Sequence, residues 1–456
     1  MKRTHSRSLT EGPIGRLLFK LTVPMIFGVL SMVAFNLVDT YFIGLLGTDP
    51  LAAMSFTFPV VFIVSGVSMG IGVGASAVIS RAIGKGGHHD VERFTTDSLI
   101  LALIIVTFFI LAGMLTIDSV FGLLNAPDRL LPLIRQYMAI WYSGMIFLVI
   151  PMVGNNAIRA TGDTRTPSMI MLFAVGINAA LDPLLIFGLG PFPRMELAGA
   201  ALATVIARAV TLGLSLWVLI HREKMIYLNR PSVSRLLRSW REILYIGIPV
   251  SGTHIIIPVG SGVITRIIAS HGAKAVAAFG VGTRIESFAL TVIMALATVL
   301  GPFIGQNLGA DRCDRVRRGL FLASRFSIFW GLVMTTLFAV CARWAGSLFS
   351  DDPAVQRFIA LYMRIIPVSY GLQGVIMLMN SALNVMKKPI HASLMMLIHM
   401  FAFYIPFAYL GSEWMGVPGI FGAGSLVRIL TGLGAIALVK ILLGRRRSHP
   451  ESMPCA

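Results

Sequence analysis

Charged side chains are scarce in this sequence. Only 13% of its 456 residues are Asp, Glu, Lys or Arg, about half the share that an ordinary soluble domain carries. With 56% hydrophobic residues and a mean hydropathy of +0.82, a soluble globule is excluded and a polytopic membrane protein is expected. Cysteine is scarcer still. Cys313, Cys341 and Cys455 are odd in number and scattered, so they suggest neither a disulfide framework nor a metal motif. No nucleophile with a base, no HExxH and no metal-spaced Cys/His set occurs. Neither an enzyme nor a cofactor is therefore expected.

What the chain does have is long apolar blocks. A span needs about 20 residues at 1.5 Å rise each, and twelve such blocks recur, near 17–45, 51–80, 94–118, 132–158, 167–189, 197–220, 241–270, 275–306, 318–345, 355–386, 389–411 and 417–443. They are too long and too continuous for barrel strands. The first is too long for a signal-peptide core and has no small-residue cleavage site after it, so it is expected to stay as helix 1.

The net charge of +18 would suggest nucleic acid in a soluble protein, but the basic residues fall on alternate loops. One set holds Lys2, Arg3, Arg7 and Arg16, then Arg81, Lys85 and Arg93, then Arg159 and Arg165. It continues through the linker from Arg222 to Arg241, Arg312 to Arg318, Lys387 with Lys388, and Arg445 to Arg447. By the positive-inside rule these loops and both termini are cytoplasmic, in an inner membrane. Nucleic acid is excluded as a partner; membrane lipid is expected, around a monomer.

Shifting the sequence by 225 residues aligns Pro24 with Pro249, Thr40 with Thr265, Gly47 with Gly272, Met69 with Met294, Gly84 with Gly309 and Arg93 with Arg318, without a gap. Tyr137 with Met138 falls on Tyr362 with Met363, and Asn155 on Asn380; after short deletions Gly199 matches Gly419 and Arg208 matches Arg428. The expectation is an all-α protein of two six-helix bundles related by a pseudo-two-fold axis. Its parts would be an N-terminal lobe (1–220), a cytoplasmic linker (221–241) and a C-terminal lobe (242–456). Repeat halves that rock about a central cavity are the usual build of secondary transporters.

The polar residues inside the spans are the functional candidates, because an intramembrane charge costs at least about 2.5 to 3.5 kcal/mol. Asp39 in FNLVDTYFIG and Asp182 in GINAALDPLL match Ile264 and Tyr404 in the second half, so only the first half carries them. Asn178 lies four residues before Asp182 and shares its helix face. Asn155 and Asn156 on helix 4 and Thr204 on helix 6 could complete a site that takes a proton or a small cation between oxygens. Pro24 removes a helical hydrogen bond and provides a hinge in helix 1. Tyr137, Arg284 and Glu286 are candidates for substrate contact or gating; Arg284 and Glu286, two apart, point to different faces. His254 and His399 read as core residues, and Arg208 with Arg428 as structural. The run SGVSMGIGVGASA resembles a dinucleotide fingerprint, but Gly66, Gly70 and Gly74 are four apart within a span, the spacing that lets helix backbones approach.

LTEGPIGRLLFKLTVP, FNLVDTYFIG, RATGDTRTP and GINAALDPLLIFGLG together resemble the multidrug and toxic compound extrusion (MATE) family, over essentially the whole chain. The resemblance implies a V-shaped pair of lobes that expels amphipathic, usually cationic compounds in exchange for H+ or Na+. It is nearest to the DinF-like branch. That branch implies an N-lobe cation site at Asp39, Asn178, Asp182, Asn155 or Asn156, and Thr204. The acids that the NorM-like branch has on helices 7 and 10 are absent here. Alternatives are a flippase for lipid or lipid-linked sugar, for which only Arg284 and Arg266 could line a basic cavity, and a channel.

Overall fold

The structure, a computed structural model, describes residues 9–227 and 232–444. Lys2, Arg3, Arg7, Arg230, Arg445 to Arg447 and Cys455 lie outside the described residues. Among those residues eleven helices are long and apolar enough to cross a membrane, or twelve if one bent pair counts as a single span. We number them α1 (Ile14–Gly44), α2 (Thr48–Gly84), α3 (His88–Leu123), α4 (Leu131–Ser143 with Met145–Ala160), α5 (Arg165–Phe187) and α6 (Glu196–Arg222). The second series is α7 (Val233–Ala269), α8 (Ala273–Gly309), α9 (Cys313–Phe349), α10 (Pro353–Val385), α11 (Pro389–Met415) and α12 (Val417–Leu442). All twelve expected blocks are present. The fourth is bent by 46° at Gly144, where a Cβ would strike the Val205 side chain on α6.

The repeat is visible in backbone conformation as well as in identity. Gly47 and Gly272 precede α2 and α8 with φ of 116° and 98°, a region closed to most L-residues. The same shift pairs Gly86 with Asp311 and Gly162 with Lys387, all at positive φ. Equivalent turns therefore share one geometry even where the residue differs. At the start of α10, Asp352 caps the helix through the Ala354 amide at 2.8 Å and pairs with Lys274 at 2.7 Å. These contacts hold its carboxyl below the usual range. Among the described cysteines Cys341 is free.

The chain forms two compact units whose boundaries fall inside helices. Unit 1 holds Val23 to Ser251; unit 2 holds Thr10 to Thr22 and the chain from Gly252 onward. The first part of α1 thus belongs to unit 2, and the first part of α7 to unit 1. The break in α1 lies beside Pro24, and that in α7 just after the repeat-matched Pro249. Both α1 and α7 are unbroken helices through these prolines.

Within unit 2 the segment just before α1 is tied down by arginine. Arg312 donates to the Thr10 carbonyl at 3.0 Å, and Arg315 to those of Gly12 and Glu11 at 2.9 and 3.2 Å. Within unit 1 the small-residue run of α2 meets the early half of α7. A Cβ on Gly70 would strike Gly247 and Ser251, and one on Gly74 would strike the Ile243 carbonyl. Small residues let backbones approach where lipid offers no hydrophobic drive for association.

Between α6 and α7, the end of the linker's described part packs onto unit 1. Asp163 accepts from the Arg165 and Thr166 amides at 3.0 and 3.1 Å, which starts α5, and it also binds Arg222 at 2.8 Å. Arg222 reaches Thr166 as well, at 2.6 Å. The Tyr227 amide donates to Thr96 at 2.8 Å, and Met225 is buried. The RATGDTRTP segment is thus the anchor of this linker end. Because Arg222 is half exposed, Asp163→Ala is expected to cost only about 1 kcal/mol, which raises the open population about fivefold. Trypsin should cleave the linker correspondingly faster in the variant; an unchanged cleavage rate would show that the linker is held elsewhere.

Candidate functional site

Four of the residues singled out in the first half, Asp39, Asn178, Asp182 and Tyr137, meet in unit 1. Asp39, midway along the later part of α1, is 6% exposed, and Asn178 and Asp182 on α5 are 0% exposed. The Asn178 amide donates to Asp182 at 3.1 Å, as their four-residue spacing requires. Asp182 lies within electrostatic reach of Asp39. Tyr137, buried on α4, is within reach of both carboxylates, and Arg208 on α6 is within reach of Asp39.

What distinguishes the cluster is its open acceptors. One carboxylate oxygen of Asp39, one of Asp182 and the side-chain oxygen of Asn178 are buried without a hydrogen-bond partner. The hydroxyl of Thr204, one turn before Arg208, and the side-chain oxygen of Asn155 are likewise unpartnered. Buried polar atoms are nearly always satisfied, so several open oxygens in one unit mark a place for something that donates or coordinates. Arg208 does not fill it. Its guanidinium stacks over the Phe35 ring at 4.7 Å, and its Nε is itself buried without a partner. Two carboxylates facing one withdrawn arginine leave a deficit of positive charge. Among the described residues no group of three or more His, Cys, Asp or Glu could hold a metal ion.

The two helix-4 asparagines part company. Asn156 donates to the Met152 carbonyl at 2.8 Å and lies under Gly72 of α2, so its amide serves packing. Asn155 keeps its open oxygen, but neither asparagine bonds directly to Asp39, Asn178 or Asp182. Pro24 stands on α1 fifteen residues before Asp39, beside the unit boundary.

Unit 2 contains a second polar cluster, in which the carboxylate is paired although one guanidinium nitrogen of Arg428 and the Tyr370 hydroxyl are buried without a hydrogen-bond partner. Glu286 on α8 is paired with Arg428 of α12 at 2.9 Å and accepts from the Tyr362 hydroxyl of α10 at 2.6 Å. Arg284, its neighbour in sequence, is exposed on the same helix and takes no part. Arg428, read as structural, holds this ion pair between α8 and α12. His399 is buried and bonded to Thr431 at 2.9 Å, a core residue as expected. His254 is instead exposed on α7, so the core reading fails for it.

Helices of membrane-crossing length with carboxylates drawn inside both units are the build of a transporter. The MatE family model matches the chain twice, over residues 24–184 and 249–410, which reproduces the internal repeat. The chain belongs to the MATE family. It is 39% identical to the "FAD transporter" of Shewanella oneidensis, over 96% of this chain and 97% of that one. Identity to the multidrug export protein MepA of Staphylococcus aureus is 24%, over 95% of each chain. The Vibrio cholerae MATE transporter VcmN in its bent form superposes with a TM-score of 0.90 at 31% identity, covering 95% of this chain and 97% of that one.

The two clusters predict opposite responses to neutralisation. In sodium-free alkaline buffer, Asp39→Asn should leave the thermal midpoint of the detergent-solubilised protein unchanged or raise it, since it removes an unpaired buried charge. Glu286→Gln should lower it, because an orphaned buried arginine costs about 3 to 5 kcal/mol. Equal shifts of one sign, read by size exclusion after heating, would contradict the assignment of one cluster as open and the other as closed.

Proposed function

We propose that this protein is a cation-coupled secondary exporter of the cytoplasmic membrane in which Asp39, Asp182 and Asn178 bind the coupling ion, H+ or Na+. Both termini lie in the cytoplasm and a single chain is the working unit. The observation that carries the reading is the set of unpartnered oxygens on Asp39, Asp182 and Asn178, buried together in unit 1. An ion that enters there satisfies them and cancels the excess negative charge. Thr204 and Asn155 supply further oxygens as the site adjusts. Since α1 runs from unit 2 into unit 1, a change of charge at Asp39 acts on the helix that joins both, and Pro24 supplies its hinge. Export follows if substrate and ion favour opposite states, for coupling is only a difference of affinities between states.

Two substrate readings have support. Amphipathic cations suit the family, and relatives such as MepA are named for multidrug export. A flavin dinucleotide is favoured by the FAD transporter, whose 39% identity far exceeds the 24% of MepA. It is also favoured by exposed basic side chains on two spans of unit 2, Arg266 on α7 and Arg284 on α8, since a cation pump has no need of them whereas a diphosphate does. Tyr137 and Glu286 are held within their clusters and so act on the substrate indirectly.

Everted vesicles containing the wild type or Asp39→Asn, energised by a proton or a sodium gradient in turn, test the proposal with ethidium and FAD as alternative substrates. The wild type should accumulate one of them under one gradient, and Asp39→Asn should lose at least about tenfold of the rate. Equal transport by Asp39→Asn at equal membrane abundance would remove Asp39 from coupling.

A further inference from the structure

Each unit places a tyrosine of its fourth span and an arginine of its sixth beside carboxylate. These are Tyr137 and Arg208 in unit 1, and their repeat partners Tyr362 and Arg428 in unit 2. The acids are not repeat partners. Where unit 1 has Asp39 and Asp182, unit 2 has Ile264 and Tyr404, and its acid, Glu286, comes from α8, where unit 1 has Val61. Moving the acid has changed its relation to the arginine. Arg208 stands over Phe35 and leaves two carboxylates open; Arg428 closes on a single one at 2.9 Å.

Counting charges within the two clusters, Asp39 and Asp182 stand to one arginine, whereas Glu286 and Arg428 stand one to one. The titratable groups that face Glu286 and Arg428 come from α10 and α11. Tyr362 and Tyr370 lie on α10, and Tyr404 and His399 on α11. Tyr362 donates its hydroxyl to the Glu286 carboxylate, and no second acid enters the cluster. We propose that Arg428 is a built-in counter-ion that fills, beside Glu286, the role a mobile cation plays beside Asp39 and Asp182, so that one coupling ion crosses per cycle and all of it through unit 1. This rests on the cation-coupled reading above and adds its stoichiometry and the residue that sets it. Buried carboxylates must be paired with something; a tethered guanidinium pairs without ever leaving.

The experiment is the steady-state accumulation of substrate in vesicles at zero membrane potential, as a function of the imposed gradient of the coupling ion. With one ion exchanged, the accumulation ratio rises about tenfold for a tenfold gradient; with two it rises about a hundredfold. The wild type, Arg428→Lys and the charge-balanced double variant Glu286→Gln/Arg428→Met should all give the first slope. Arg428→Met alone, which bares Glu286, should lose export at wild-type abundance. A slope of two in the wild type that falls to one in Glu286→Gln would overturn the proposal, for Glu286 would then carry a mobile ion. So would a double variant as inactive as Arg428→Met at wild-type abundance, since the pair would then be needed for more than its charge. Should variants fail to accumulate, the wild-type slope alone still decides. Asp39→Asn is read separately: if it keeps the slope of one, the site in unit 1 is wrong, whatever Arg428 does.

Discussion

A charge inside a membrane protein must be paired, and most of what is particular to this chain follows from how it pairs its few. In hydrocarbon an unpaired carboxylate costs several kilocalories per mole, so each buried acid needs a partner or an occupant. Unit 2 solves the problem internally, with Glu286 held by Arg428 and Tyr362. Unit 1 leaves oxygens of Asp39 and Asp182 unsatisfied. On the reading proposed above, the coupling ion is the occupant that satisfies them.

The helices that carry this arrangement are held by packing, since lipid gives apolar side chains no reason to prefer protein. Small residues bring α2 against the early half of α7, and Arg312 and Arg315 hold Thr10 and Gly12. Each unit thus includes the first part of a helix whose remainder belongs to the other unit. Helices α1 and α7 are therefore the continuous elements common to both units. The prolines at their boundaries, Pro24 and Pro249, weaken each helix by one hydrogen bond close to where it changes unit.

The repeat clarifies which polar residues are scaffold and which are specific. Turn positions such as Gly47 and Gly272 recur because the backbone needs positive φ there, and a different residue can serve, as Asp311 does opposite Gly86. Tyr137/Tyr362 and Arg208/Arg428 recur as a common polar frame. The acids do not recur, and their placement is what separates an open cluster from a closed one. Repetition by itself was a poor guide to function for the arginines: a residue matched in both halves can still play two roles.

The sequence by itself determined the twelve spans, the repeat and the positions of the intramembrane acids, because hydropathy, chain length and the price of a buried charge are local properties. It also placed Asn178 beside Asp182, since four residues make one helical turn. Only the tertiary structure decided what spans far apart in the chain do to one another. It paired Glu286 with Arg428 across 142 residues of sequence, set Arg208 aside on Phe35, and turned Asn156 to packing while Asn155 kept an open oxygen. It also exposed His254 and moved the unit boundaries into α1 and α7. The physical reason is that every span looks alike from its own composition. Which face is buried, and against what, is fixed by the neighbouring helices, and that information is not carried by any one stretch of the chain.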